Sequence, residues 1–168
     1  RNGLGYARAA IYASDPDEFE QYRAKLVKYE EIADRIDYEI AAFLNAVSTE
    51  EISVATSYKI KAMYKIIGEL ESLGDSGESI SRILSRKNVH KKEFDAEALK
   101  KLNSMVDLVD NAYEAMIENL KSADVGTLEQ ISNANAAEDR INNQRNYLRD
   151  EEIESIESGN RNYQTSVY

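Results

Sequence analysis

The chain has 168 residues and a formal charge of −10, so it is long enough for about one domain with a real core and too acidic to neutralise a row of nucleic-acid phosphates. One proline, seven glycines and 31% charged residues point to an all-α protein, and the absence of cysteine excludes a disulfide framework and a thiolate metal site. No run of about 18 apolar residues reads as a membrane-spanning helix, which leaves cations and basic protein surfaces as the better candidate partners.

The sequence opens on Arg1 rather than methionine, and no signal-peptide pattern follows, so a piece of a longer chain is expected. Residues 1–13 read as the tail of a helix. Ser14-Asp15-Pro16-Asp17 then marks a helix start, with side-chain caps, a proline suited to the first turn and acids that favour the positive end of the dipole. From Tyr22 the apolar positions run Tyr22, Leu26, Tyr29, Ala33, Ile36, Ile40, Phe43 and Val47, a 4-3 spacing that predicts a helix packed nearly parallel or antiparallel to its neighbours.

Ser48-Thr49-Glu50-Glu51 is expected to cap the next helix, in which Met63, Ile66, Leu70, Leu73, Gly77, Ile80 and Leu84 repeat the spacing. The polar, basic stretch Ser85 to Lys92 ends it. Phe94, Leu99, Leu102, Val106, Val109, Tyr113, Met116 and Leu120 line the following helix, and Ser122 to Gly126 is read as a turn. A fifth helix, from about Thr127 to Glu157, carries Leu128, Ile131, Ile141, Leu148, Ile153 and Ile156 but places Gln144 and Arg145 where apolar residues are expected. Ser158-Gly159-Asn160 turns the chain, and Arg161 to Tyr168 opens another helix.

Within the third of these helical stretches, Glu69 to Ile80 reads ELESLGDSGESI and places Glu71, Asp75 and Glu78 on one face around Gly74 and Gly77. Glycine costs about 1 kcal/mol relative to alanine in a helix interior, so two of them three residues apart suggest a surface kept low for close approach by another body. Carboxylates four apart can converge on a cation. The alternative is that Gly74 marks a helix end and the acids form a solvated face.

A weak internal repeat divides the chain. Ala33-Asp34-Arg35-Ile36-Asp37 is echoed by Glu138-Asp139-Arg140-Ile141-Asn142, each in the middle of a long helix after a turn. Two antiparallel three-helix bundles, over residues 1–88 and 89–168 of one structural domain and with outer helices incomplete at both ends, would explain it. If the first hairpin turns near Thr49, Glu30 and Glu71 stand at nearly the same height, which brings the pair Glu30 and Asp34 toward the pair Glu71 and Asp75, with Asp37 one turn further on. All flank the apolar seam, so a surface site is expected. Oxygen ligands alone suit Mg²⁺, Ca²⁺, Mn²⁺ or iron, and like charges this close need a counter-ion that no lysine or arginine within four residues of Asp75 supplies.

The segment ELESLGDSGESI resembles the signature of the PhoU family, in which Glu-Leu-Glu-Arg-Ile-Gly-Asp followed by Asn-Ile lies on the third helix of each three-helix repeat. The likeness runs from about Ile11 to Tyr168 and includes the order of helices. It implies metal binding by Glu/Asp-x-x-x-Asp pairs on the second and third helices, here Glu30, Asp34, Glu71 and Asp75. Ser72 stands where that family prefers arginine and Ser79 where it prefers asparagine, which weakens the expected site. Glu138 and Asn142 match the second-helix pattern of the second repeat, whose third-helix partner would lie beyond Tyr168. By resemblance the function is phosphate transport or its regulation. The chain would be the cytoplasmic tail of a sodium/phosphate cotransporter-like membrane protein, at the inner face of the cell membrane, or alternatively a free regulator of phosphate uptake. The partner would be a membrane transporter, with self-association through the apolar surface left by the interrupted terminal helices.

Other classes fit less well. A plain helical scaffold shares the heptads but has no reason to set Gly74 and Gly77 beside three acids. His90, the only histidine, lies in a polar basic turn that suits a solvated residue better than a general base, and di-iron oxidases need two histidines that this chain lacks. No catalytic activity is expected. The tyrosines at Tyr22, Tyr29, Tyr58, Tyr64 and Tyr113 read as packing, and Lys59, Lys61 and Lys65 as a solvated basic face.

Overall fold

Side chains that can cap a helix decide where the helices begin. Asp15 accepts the backbone N–H of Asp17 ahead of Pro16, as the Ser14-Asp15-Pro16-Asp17 pattern predicts. Ser53 accepts the N–H of Thr56 at 3.1 Å, and Asp95 that of Ala98 at 2.7 Å. The computed structural model describes residues 1–49, 51–122 and 131–159, and their order is α1 (Asn2–Tyr12), α2 (Pro16–Ser48), α3 (Val54–Val89), α4 (Ala96–Ser122) and α5 (Ser132–Glu157). The chain is all-α as expected, with no strand among the described residues. The expected turn after Ser122, the start of the fifth helix at 127–130 and the helix after Asn160 lie outside the described residues.

The start of α3 corrects the expected cap. Ser48 and Thr49 finish α2 instead: their hydroxyls donate to the carbonyls of Leu44 and Ala46, both at 2.7 Å, which satisfies acceptors that the helix end would otherwise leave open. The N-terminal cap falls to Ser53. α3 then runs unbroken through Gly68, Gly74 and Gly77 for 36 residues, so Gly74 is not a helix end. It stops at Val89, where Lys92 donates its N–H to the Lys87 carbonyl at 3.0 Å across a left-handed Lys91 with φ 50°.

The chain divides into two compact units, with the boundary inside α3: Asn2–Arg82 is one, and Ile83 onward together with Arg1 is the other.

In the Asn2–Arg82 unit, α2 and α3 form an antiparallel hairpin. The Tyr64 hydroxyl donates to the Ala41 carbonyl at 3.0 Å, Leu44 packs with Ile60 and Ile67, and Gly77 faces Leu26. Ile40, Ala41, Val47 and Ile52 close over the Leu44 cluster. α1 lies along the first third of α2, with Ala7 and Ala10 buried, the Tyr6 and Tyr29 rings 5.6 Å apart, and Asn2 donating to the Tyr29 hydroxyl at 3.1 Å.

The expected seams are partly corrected here. Leu26 is buried as predicted, as is Leu84 in the other unit, but Phe43 is 67% exposed and Ile36 51%, while Leu44, Ile60 and Ile67 occupy the interior. Met63, Ile66, Leu70 and Leu73 are also exposed. Among the described residues, α1 lies along α2 as far as Tyr29, about 17 Å of a helix about 50 Å long.

In the other unit, α4 and α5 pack antiparallel. Asn119 and Asn133 exchange amide hydrogen bonds of 2.9 and 3.1 Å near the connection, Gln144 donates to the Ser104 hydroxyl at 3.4 Å, and Lys101 binds Glu151 at 3.2 Å further along. Ala137 is buried, and the α4 residues Leu99, Leu102, Val106, Val109, Tyr113 and Met116 are half-buried. Gln144 thus sits between the helices with a partner, whereas Arg145 points to water. Arg1 forks to Asp110 at 2.8 Å and Glu114 at 2.6 Å.

Candidate metal centre

The hairpin register decides which acids meet. Successive turns place Glu30 and Asp34 on the flank of α2 that also carries Ala41, and Asp75 on the matching flank of α3, away from α1. Carboxylate oxygens of Glu30, Asp34 and Asp75 all come within 4.8 Å of one another. Glu71 is not in this group. The turn of the hairpin centres nearer Ser53 than Thr49, so the residue opposite Glu30 is Asp75, one helical turn after Glu71. Glu71 is half-buried, with the Ser72 hydroxyl 3.4 Å from its carboxylate.

Gly74 brings these acids together. A Cβ built there would lie 3.0 Å from the Ala33 Cβ and 3.7 Å from the Glu30 Cα, so the body for which this surface is kept low is α2 itself. At Gly77 a Cβ would meet only Leu26, at an ordinary 3.6 Å. The glycines therefore let two helices approach and do not open a path to the acids.

The serines of the segment are occupied by the helix. Ser72 and Ser76 donate to the carbonyls of Gly68 and Ser72 at 3.1 and 2.9 Å, and the buried Ser81 donates to that of Glu78 at 2.7 Å. Ser79 lies 3.4 Å from the Arg82 guanidinium, which itself pairs with Glu78 at 2.6 Å. No basic side chain forms an ion pair with Glu30, Asp34 or Asp75 among the described residues. Glu30, expected beside the seam, is half-buried on its edge. Its carboxyl is pushed up from the ordinary glutamate range, first by burial and then by the charges of Asp34, Asp75, Glu78 and Glu31.

That shift has a sign that can be measured. A carboxyl whose pKa is raised by folding is held protonated more firmly in the native state, so its contribution to stability is greatest below the ordinary glutamate pKa and is lost as pH rises through the raised value. Thermal melts in chelator from about pH 4 to about pH 7 should show Glu30→Gln gaining on the wild type as pH rises. Two curves that stay parallel would mean that Glu30 carries no such strain.

Three converging carboxylates are chemically able to hold a metal ion. Oxygens on opposite sides of a Ca²⁺ at about 2.4 Å stand about 4.8 Å apart, so separations within 4.8 Å let all three carboxylates reach one hard cation. Asp34 and Asp75 are exposed, which leaves water to complete the shell. His90 is exposed in the turn after α3, well away in sequence from the acids. In the second unit Glu138 is exposed and Asn142 half-buried on α5. The chain matches no protein-family model, no curated protein and no solved structure.

Proposed function

We propose that the chain is a non-catalytic PhoU-like module acting in phosphate transport or its regulation, as the cytoplasmic tail of a sodium/phosphate cotransporter-like membrane protein. On this reading α1, α2 and α3 form a first three-helix repeat, and α4 and α5 belong to a second one. The observation that carries the proposal is the Gly74 approach, which sets Asp75 of the signature-like segment against Glu30 and Asp34 of the preceding helix. A solvated acidic face has no need of a glycine at that contact.

The trio would take a hard divalent cation or ferrous ion, and weakly. Two of its three acids are exposed, and Ser72 supplies no positive charge where the family has arginine. The ion would neutralise Glu30, Asp34 and Asp75 and tie α2 to α3. No chemical step is assigned to it.

Titration calorimetry with manganese, magnesium and ferrous ion should give heat with the wild type and with Glu71→Ala, and none with the double variant Asp34→Asn/Asp75→Asn. Equal heats from all three proteins would remove the metal from the proposal. In cells whose own copy of the full-length protein carries the double change, uptake of labelled phosphate should alter. Uptake that is unchanged even after deletion of the whole region would remove the transport role.

A further inference from the structure

The turn after α3 gathers positive charge on a chain whose formal charge is −10. No acid lies between Glu78 and Glu93, and Arg86, Lys87, Lys91 and Lys92 fall in the second half of that interval. The way α3 ends crowds them together. His90 donates its N–H to the Arg86 carbonyl at 3.0 Å, Lys91 to that of Asn88 at 2.9 Å and Lys92 to that of Lys87 at 3.0 Å, so the left-handed Lys91 folds the chain back on the helix end. Arg86, Lys87 and Lys91 form no ion pair among the described residues, and the Lys87 ammonium stands 5.0 Å over the Phe94 ring. In their midst lies Val89, at 75% the most exposed large apolar side chain among the described residues.

The negative end of a helix dipole favours cations in the last turn, which accounts for Arg86 and Lys87 but not for Lys91 and Lys92 beyond the end, nor for a bare valine between the two pairs. We infer that this turn rests on an anionic lipid surface, with Val89 entering the boundary between headgroups and acyl chains and the four cations lying among the headgroup phosphates. Charge complementarity argues for it. Each lysine or arginine close to such a surface multiplies the partition by about five, so four of them count for a few hundredfold, of which Glu93 and Asp95 just downstream take back a part. The field decays within about 8 Å at physiological salt, so acids elsewhere on the chain weigh little against groups that touch the surface. An acidic protein would also match the cations, but one small apolar side chain ringed by charge offers it no groove or pocket, whereas a bilayer accepts a single side chain at its boundary without one. Lipid contact of this kind requires neither a bound metal nor a role in phosphate transport, and vesicle binding reads neither.

Sedimentation of the 168-residue chain with vesicles in about 0.05 M salt should show binding to phosphatidylcholine containing about a third phosphatidylserine, none to phosphatidylcholine alone, and release in about 0.5 M salt. Arg86→Gln/Lys91→Gln should lower the partition about tenfold or more and Val89→Ser about threefold, with an unchanged helical circular dichroism spectrum, because all three side chains are exposed. Lys59→Gln/Lys61→Gln/Lys65→Gln removes more charge from the other unit and should change it less than twofold. About 10 mM inorganic phosphate should release no more chain than chloride of the same ionic strength, and polyglutamate should hold the chain less tightly than the vesicles do. Equal binding to both kinds of vesicle or to neither, or a loss as large from the three-lysine variant as from Arg86→Gln/Lys91→Gln, would overturn the proposal. Wild-type partition in Val89→Ser, selective release by phosphate, or tighter binding to polyglutamate would overturn it as well.

Discussion

Replacing Gly74 with leucine is expected to lower stability by about 2–3 kcal/mol, while alanine at Gly68 raises it by up to about 1 kcal/mol. Both glycines lie inside α3, so propensity alone would favour either replacement. What separates them is space. A Cβ at Gly68 meets nothing within 4 Å, whereas one at Gly74 already stands 3.0 Å from the Ala33 Cβ, and a leucine would have to push α2 off α3. Alanine at Gly74 should fall between the two, its gain in propensity offset by the few tenths of an ångström that Ala33 must yield. Chemical denaturation of the three variants tests this, and a stable Gly74→Leu protein would contradict the close approach on which the acid cluster depends.

The second large effect separates two neighbours. Leu44→Ala should cost about 2–5 kcal/mol, the usual loss for a buried leucine, because Leu44 closes the cluster with Ile60 and Ile67. Phe43→Ala removes a bigger side chain yet should cost under about 1 kcal/mol, since most of that ring already faces water. Equal losses would mean that Phe43 is covered within a single chain.

The Phe43 and Leu44 pair also shows what could be read from the residues alone. The all-α class, the start at Asp15 and Pro16, and the unbroken helix through the glycines follow from local pattern and capping chemistry, and they are found as expected. The phase of the seam does not follow. α2 carries two adjoining apolar columns, one through Ile36 and Phe43 and one through Ile40 and Leu44, and heptad spacing cannot choose between them. The choice rests on which column meets α3, and the hairpin sets Leu44, with Ile40 beside it, against Ile60 and Ile67. The candidate site fails in the same way at Glu71. Composition and spacing pick out Glu30, Asp34 and Asp75, but the partner across a hairpin depends on where the turn is centred. A shift from Thr49 toward Ser53 moves the match by a full helical turn. Both Ser48-Thr49 and Ser53 have hydroxyls able to cap, and only the backbone path tells an end from a beginning.

The polar ties between α4 and α5 have a consequence for which pairings the chain must avoid. Apolar positions that recur every seven residues cannot tell the native alignment of two helices from one displaced by a heptad, because the same columns still meet. Asn119 with Asn133, Ser104 with Gln144 and Lys101 with Glu151 can. They sit at different levels of the pair, and a slip of one heptad breaks all of them together, leaving Asn133 opposite Ala112 or beyond the end of α4 and stripping the half-buried Lys101 of its carboxylate across the helices. Each tie is worth little by itself. Jointly they exclude misaligned versions of the pair that burial of apolar surface would tolerate, so their loss should show first as conformational heterogeneity and only later as a lower melting temperature.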